Sequence, residues 1–222
     1  MRLALMQPCF APYAGYFRLL VAADVFVFHD DTQYVKQSWL NRNRLTRHDG
    51  TQGWLTIPVA DAPTGTRIRD VRLAPDADRL WRKQYRQFKA LVRDGSYLGE
   101  HDLAGQTHLA PPTVASVEIG ARKLGLPKDD HPCTSGFADE LNPDAKGQER
   151  VLDICKRFFA TEYVNASGGI NLYDPDLFAR HGVKLKILKP YQGNMVSIIE
   201  RIALEDPREV RKEIEANVQY YD

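Results

Sequence analysis

Cysteine is scarce: Cys9, Cys133 and Cys155 are the three in 222 residues. They are too few and too scattered for a disulfide framework or a zinc cage, so the core must hold the fold. Reduced thiols in a cytoplasmic setting are expected, with Cys155 on the apolar face of a helix and Cys9 a small buried filler. Charge of one sign is lacking too. With 30 Lys+Arg against 29 Asp+Glu and a net charge of +1, nothing favours an extended nucleic-acid surface or a polybasic membrane anchor. No apolar run approaches the roughly 18 residues that span a bilayer, and no membrane partner is expected. Residues 3–6 are too short for a signal-peptide core and read as a first buried strand. The six histidines (His29, His48, His101, His108, His131 and His181) show no metal-ligand spacing, so no metal site is assigned. A P-loop, a G-x-G-x-x-G after the first strand and a G-x-S-x-G are all missing, as are repeats and low-complexity linkers.

What is present is the composition of a globular chain, 43% apolar and 27% charged. Its length suits one domain over residues 1–222, able to bury roughly 70% of its unfolded surface. The first thirty residues read as strand, turn, helix, strand. An apolar run at 3–6 precedes a loop punctuated by Pro8, Pro12 and Gly15, a short helix at 16–23, and Val25-Phe26-Val27-Phe28. Continuous apolar runs mark strands covered on both faces. Residues 54–59 alternate as a strand until Pro58, and Ile68, Val71 and Leu73 suggest another over 68–73. Leu80, Trp81, Gln84, Tyr85, Phe88, Leu91 and Val92 recur at three and four, predicting one amphipathic helix from Asp78 to near Gly95. A second helix is predicted over 112–124. Alternation then returns: a weak strand at 132–134, a helix at 148–159, a strand at 163–164, a short helix opening at Pro175 and a strand at 183–187. Asp206, Pro207 and Glu209 supply the cap, first-position proline and first-turn acid of a terminal helix. The pattern predicts an α/β fold: a mostly parallel, Rossmann-like sheet flanked by helices, with about 75–130 as a candidate helical cap.

Ligands of such sheets bind beyond the carboxyl ends of the strands. The segments expected there are 7–15, 30–44, 135–147 and 165–173, all polar or glycine-rich. The densest holds His29, Asp30, Asp31, Gln33, Lys36, Trp39, Asn41, Arg42, Asn43 and Arg44. Arginine forks and a lysine suit phosphate or carboxylate, and Trp39 and Tyr34 can stack on a base or sugar. Asp30 or Asp31 could act as a base, hold a ribose or ligate magnesium. His29 is a catalytic candidate, or a satisfied strand-end residue. In the first loop Gln7, Tyr13, Gly15 and Tyr16 precede a helix start, where anions bind. Asn165, Gly168, Gly169 and Tyr173 follow a later strand, and Lys146 and Arg150 open a helix; these complete the candidate set. A solvated loop with surface ion pairs is the bland alternative for the charged residues.

Gln7-Pro8 with Pro12 and Gly15-Tyr16-Phe17, then Ala23-Asp24-Val25-Phe26-Val27 running into Asp30-Asp31, Gln33, Lys36, Trp39 and Asn41-Arg42-Asn43-Arg44, carry a resemblance to the WbqC-like protein family. It continues through Leu55–Val59, Lys146, Glu149-Arg150, Tyr163-Val164-Asn165, Gly168-Gly169, Leu172-Tyr173 and Ser197-Ile198-Ile199, and is weakest from about 75 to 130. Glu200 stands where that pattern leads one to expect aspartate. The resemblance implies bacterial surface-polysaccharide or natural-product biosynthesis, and modification of a nucleotide-linked amino sugar by a glycyl or other acyl group. The loop Pro8-x-x-x-Pro12-x-x-Gly15 is also similar to nucleotidylyltransferase-type adenylating folds, which implies ATP with magnesium. Those folds place a histidine pair there, whereas this chain has Tyr13 and Tyr16. Three functions follow as expectations: an acyl- or aminoacyl-transferase (or amide ligase), a non-catalytic sugar-nucleotide or partner-binding module, and a transferase drawing on aminoacyl-tRNA through Arg67, Arg69 and Arg72.

Overall fold

Four short strands pair side by side in one parallel sheet: β1 (Arg2–Met6), β2 (Val25–Phe28), β5 (Glu162–Asn165) and β6 (Lys184–Ile187), in the order β2-β1-β5-β6. They belong to a computed structural model that describes residues 1–93, 103–126 and 131–221. Successive strand residues face opposite ways, and two cores follow from that alternation. Leu3, Leu5, Val27 and Tyr163 pack with Phe137, Ile154, Cys155 and Phe178 on one face. Ala4, Phe26, Phe28 and Val164 pack on the other. The first core is roofed by α5 (Gly147–Arg157) and α6 (Pro175–Arg180). The second is roofed by α1 (Arg18–Ala22), α4 (Ala110–Lys123), α7 (Ile198–Leu204) and α8 (Pro207–Ala216). The edge strand β6 carries Lys184 and Lys186, the kind of charge that blunts an open sheet edge. The α/β reading holds.

Helix starts obey their caps. Asp174, Ser197 and Asp206 each accept from the amide two residues on, at the heads of α6, α7 and α8. Elsewhere tertiary contacts override the local pattern. The expected helix over 78–95 is two, α2 (Ala77–Tyr85) and α3 (Lys89–Arg93), while Gly95 lies outside the described residues. The break falls at Gln87 and Phe88, whose main chain is taken up by His48 and Arg47. Trp81, Phe88, Leu91, Val117 and Ile119 all join the second core, so these helices share one continuous core with the sheet.

The expected strand at 68–73 is instead a 3-10 turn over Ile68–Asp70. Ile68 and Val71 are three apart and both buried, the period of that turn and not of a strand. Its amides bond back to the carbonyls of Thr32 and Asp30 at 2.9 Å each. The weak strand at 132–134 reduces to one parallel bridge between Cys133 and Phe28, followed by a 3-10 segment from Thr134 to Glu140. Part of the expected loop 30–44 is a strand: β3 (Arg42–Thr46) pairs antiparallel with β4 (Gln52–Thr56) as a separate hairpin.

Candidate functional site

Because the four strands run in parallel, Gln7, His29 and Ala166 all emerge at the carboxyl edge of the sheet. A cleft of about 480 Å³ opens there, lined by Leu5, Met6, Gln7, His29, Thr32, Gln148, Asn165, Gly168, Gly169 and Tyr173 among others. Its polar groups are amides, hydroxyls and one imidazole. Among the described residues no lysine or arginine lines it.

Below the histidine lies a buried network. His29 Nε2 sits 3.0 Å from Asp31 Oδ1, and Arg150 Nη2 donates to Asp31 Oδ2 at 2.8 Å. Thr134 Oγ1 is 2.9 Å from both Asp31 Oδ1 and Asp30 Oδ1. A hydroxyl has one proton, so it serves one carboxylate at a time. Asp30, 2% exposed, also accepts from Ser135 N at 2.8 Å and Ser135 Oγ at 2.5 Å. Burial pushes the Asp31 carboxyl up, but His29, Arg150 and Thr134 outweigh it and hold it well below the usual carboxylate range. An ionised carboxylate only accepts, so His29 Nε2 carries a proton, and in the neutral imidazole Nδ1 keeps its lone pair. Among the described residues Nδ1 meets no partner. That is the arrangement of a general base with its orienting acid. Both oxygens of each carboxylate already have donors, so neither fits a magnesium ion as a free ligand. No described group of three or more His, Cys, Asp or Glu side chains could hold a metal.

The opposite wall follows from β5 and the turn after it. Asn165 is buried; its Nδ2 donates to the hydroxyls of Tyr163 at 3.1 Å and Tyr173 at 3.0 Å, and its Oδ1 caps Ala166 N. Gly169 leaves little room for a side chain: a Cβ would meet Asn165 and Tyr173 at 3.0–3.1 Å, so both would have to give by a few tenths of an ångström. Gly168 faces open space. Gln7 donates to Thr32 Oγ1 at 2.8 Å, and Gln148 accepts from Asp174 N at 2.9 Å. Thr134, Ser135 and Gln148 are participants that the sequence reading passed over. The hydroxyl pair Thr134-Ser135 just after the Cys133 bridge was the one signal for two of them.

The remaining candidates lie elsewhere. Tyr16 is buried, its hydroxyl donating to the Gln7 carbonyl at 2.8 Å. Gly15 lets Tyr13 and Tyr191 close over the main chain, for a Cβ there would fall 2.2 Å from the Tyr13 ring. Asn43 donates to the carbonyls of Phe10 and Ala11, and so clasps Ala11 in its left-handed turn (φ 43°). Asn41 is buried on Ile57, Gln33 is exposed, and Lys36 pairs with Asp61 on the surface. Lys146 is exposed ahead of α5. Arg42, Arg44 and Trp39 gather around Trp54 on the hairpin. Glu200 is buried and accepts from Thr46 N, joining α7 to β3. Burial pushes the Cys9, Cys133 and Cys155 thiols up to about 12 each, the charge of Asp30 adding to the effect at Cys133. None is a thiolate at neutral pH.

A parallel α/β sheet with a histidine–carboxylate pair over its carboxyl edge defines the class. Residues 7–195 match the WbqC-like protein family, and the chain belongs to it. It is 43% identical over 188 residues to the uncharacterized protein Rv1507c of Mycobacterium tuberculosis (strain ATCC 25618 / H37Rv), covering 83% of this chain and 80% of that one. No solved structure matches it. Among the described residues no helix is long and apolar enough to cross a membrane.

Proposed function

We propose that the chain is an acyl- or aminoacyl-transferase that forms an amide on the amine of an amino sugar, nucleotide-linked, in polysaccharide or natural-product biosynthesis. One observation carries the reading: His29, held by Asp31 at 3.0 Å, stands in a cleft otherwise lined by neutral amides, hydroxyls and apolar side chains. Such a lining suits a polyhydroxylated ligand better than a polyanion, because neutral donors and acceptors match hydroxyls without a desolvated charge. Tyr173 offers a ring edge and a hydroxyl to the sugar, with Gln7 and Gln148 nearby on the lining.

As the amine nitrogen attacks the acyl carbon of an activated donor, such as a thioester or an aminoacyl ester, His29 Nδ1 takes the nitrogen's proton. The C–N bond forms, the bond from the carbonyl carbon to the donor's leaving atom breaks, and His29 returns the proton to that leaving atom. Asp31 stabilises the transient imidazolium, and Arg150 keeps Asp31 ionised in its buried seat. Asp30 shapes the network without touching the ligand.

The test begins with melting temperature against UDP- and dTDP-amino sugars, ATP with magnesium, other nucleotides and amino acids. A ligand at about 100 times its Kd adds roughly 2.7 kcal/mol. Turnover is then assayed with acyl donors and the stabilising sugar. His29→Gln should lower kcat roughly 10²–10⁴-fold with little change in KM for the sugar. Unchanged turnover removes His29 as the base, and tight binding without turnover by any donor leaves a binding module.

A further inference from the structure

Among the described residues no lysine or arginine lines the cleft, whereas the hairpin presents two arginines. Arg42 Cζ lies 4.0 Å and Arg44 Cζ 4.7 Å from the centre of the Trp54 ring. Arg44 is Trp54's direct cross-strand partner, and Arg42, two residues earlier, stands on the same face of β3. Neither guanidinium meets a carboxylate among the described residues. By contrast Lys36, on the same stretch of chain, is paired with Asp61 at 2.7 Å. Two like charges on one indole repel each other, and the Arg42 Nε–H is enclosed with no acceptor among the described residues. A donor left so costs about 1–3 kcal/mol. The two cation–π contacts return about 0.5–1 kcal/mol each at an exposed site, and an anion would relieve both the repulsion and the missing acceptor.

A second aromatic ring completes the platform. Trp39 sits 5.5 Å from Trp54, tilted by 49°, and remains 54% exposed. It is held outward by its own main chain, whose carbonyl accepts from the buried Phe10 amide at 2.9 Å. The preceding Gln37 takes a left-handed conformation (φ 56°), a strained turn of the kind that persists where a loop must present a side chain. An exposed indole next to unneutralised arginines matches a planar base joined to a phosphate, since stacking needs a free ring face and the phosphate needs planar forks.

We infer that the Trp39–Trp54–Arg42–Arg44 face of the hairpin binds an unpaired nucleotide, its base stacked on Trp39 and its phosphate on the two arginines. The site stands apart from the chemistry assigned to His29. The nucleotide comes either from a nucleotide-linked small substrate or from a single-stranded RNA end, and one titration separates the two.

The full chain is titrated with inorganic phosphate, a nucleoside 5′-monophosphate and a short single-stranded RNA, followed by calorimetry and tryptophan fluorescence. The nucleotide should bind at least about tenfold more tightly than phosphate, the margin expected of one base on an aromatic ring. Trp39→Ala should erase that margin, and Arg44→Gln should weaken all three ligands by about tenfold. Both side chains are exposed, so neither variant threatens folding. RNA binding with a salt slope of several times the ~0.7 expected per phosphate identifies a polynucleotide; RNA no tighter than the mononucleotide identifies the small substrate. His29→Gln protein should bind as the wild type does, which separates this inference from the fate of the cleft reading. No saturable nucleotide binding, or binding unchanged in either hairpin variant, overturns it.

Discussion

The cleft and the hairpin draw on the same stretch of chain, yet they treat charge in opposite ways. At the carboxyl edge of the sheet, Asp30, Asp31 and Arg150 are closed into one network by His29, Thr134 and Ser135. On the hairpin Arg42 and Arg44 meet an indole and no carboxylate among the described residues. A satisfied network rigidifies its members, so its value lies in holding one imidazole in one tautomer. An unsatisfied pair of cations is a vacancy for an anion. The proposals of proton transfer for the first region and anion recognition for the second rest on that difference, although by residue type the arginines looked equally suited to either.

The comparison breaks most sharply at Asp30. Asp30→Ala should strand Ser135 N and Ser135 Oγ, while Thr134 Oγ1 still reaches Asp31, costing roughly 3 kcal/mol. For a chain of this size that lowers the melting temperature by about 10 °C. Arg44→Gln should move stability by no more than about 1 kcal/mol, because Arg44 is exposed and its contact with Trp54 is a surface cation–π pair. Equal losses in the two melts would mean that the hairpin arginines are structural after all.

Asp31→Asn sharpens the same contrast through pH. The folded carboxyl is held well below its ordinary value, so its stabilising effect is fully present above the unfolded value of about 4. That effect is lost as pH falls through the folded value. Denaturant melts from pH 6 to pH 2 should show the wild type losing stability faster than the variant below about pH 4, by up to about 1.4 kcal/mol per pH unit. Parallel curves would place the Asp31 carboxylate outside the network.

Much of the frame was legible because it rests on local pattern. Val25–Phe28 is apolar at every position, as a doubly covered strand must be, and Asp206-Pro207 announces α8 on its own. Only half of the hairpin was legible: residues 54–59 read as a strand, overlapping β4, but its partner strand did not. Arg42-Asn43-Arg44 has no strand signature, and its pairing depends on Trp54, Leu55 and the Ala11 turn that Asn43 clasps. The break at Phe88 is likewise invisible along the chain, since the partner that claims it is Arg47. The same divide runs through the site. That segments after strand ends would carry it could be read from the order of elements, but the pairing of Asp31 with Arg150, 119 positions later, could not.

The smallest effect concerns two glycines that look alike in sequence. Gly15→Ala should cost about 1–3 kcal/mol, because its Cβ would fall 2.2 Å from the Tyr13 ring and 2.8 Å from Tyr191. Gly168→Ala has nothing within 4 Å and no left-handed backbone, so its stability should stay within about 0.5 kcal/mol of the wild type. Gly168→Leu then becomes a plug: it reaches into the cleft without disturbing the fold. Its melting temperature should match the wild type while the shift given by an amino-sugar ligand disappears, and nucleotide binding at the hairpin should persist. If Gly168→Leu keeps the sugar and loses the nucleotide instead, the two regions have exchanged the roles assigned to them.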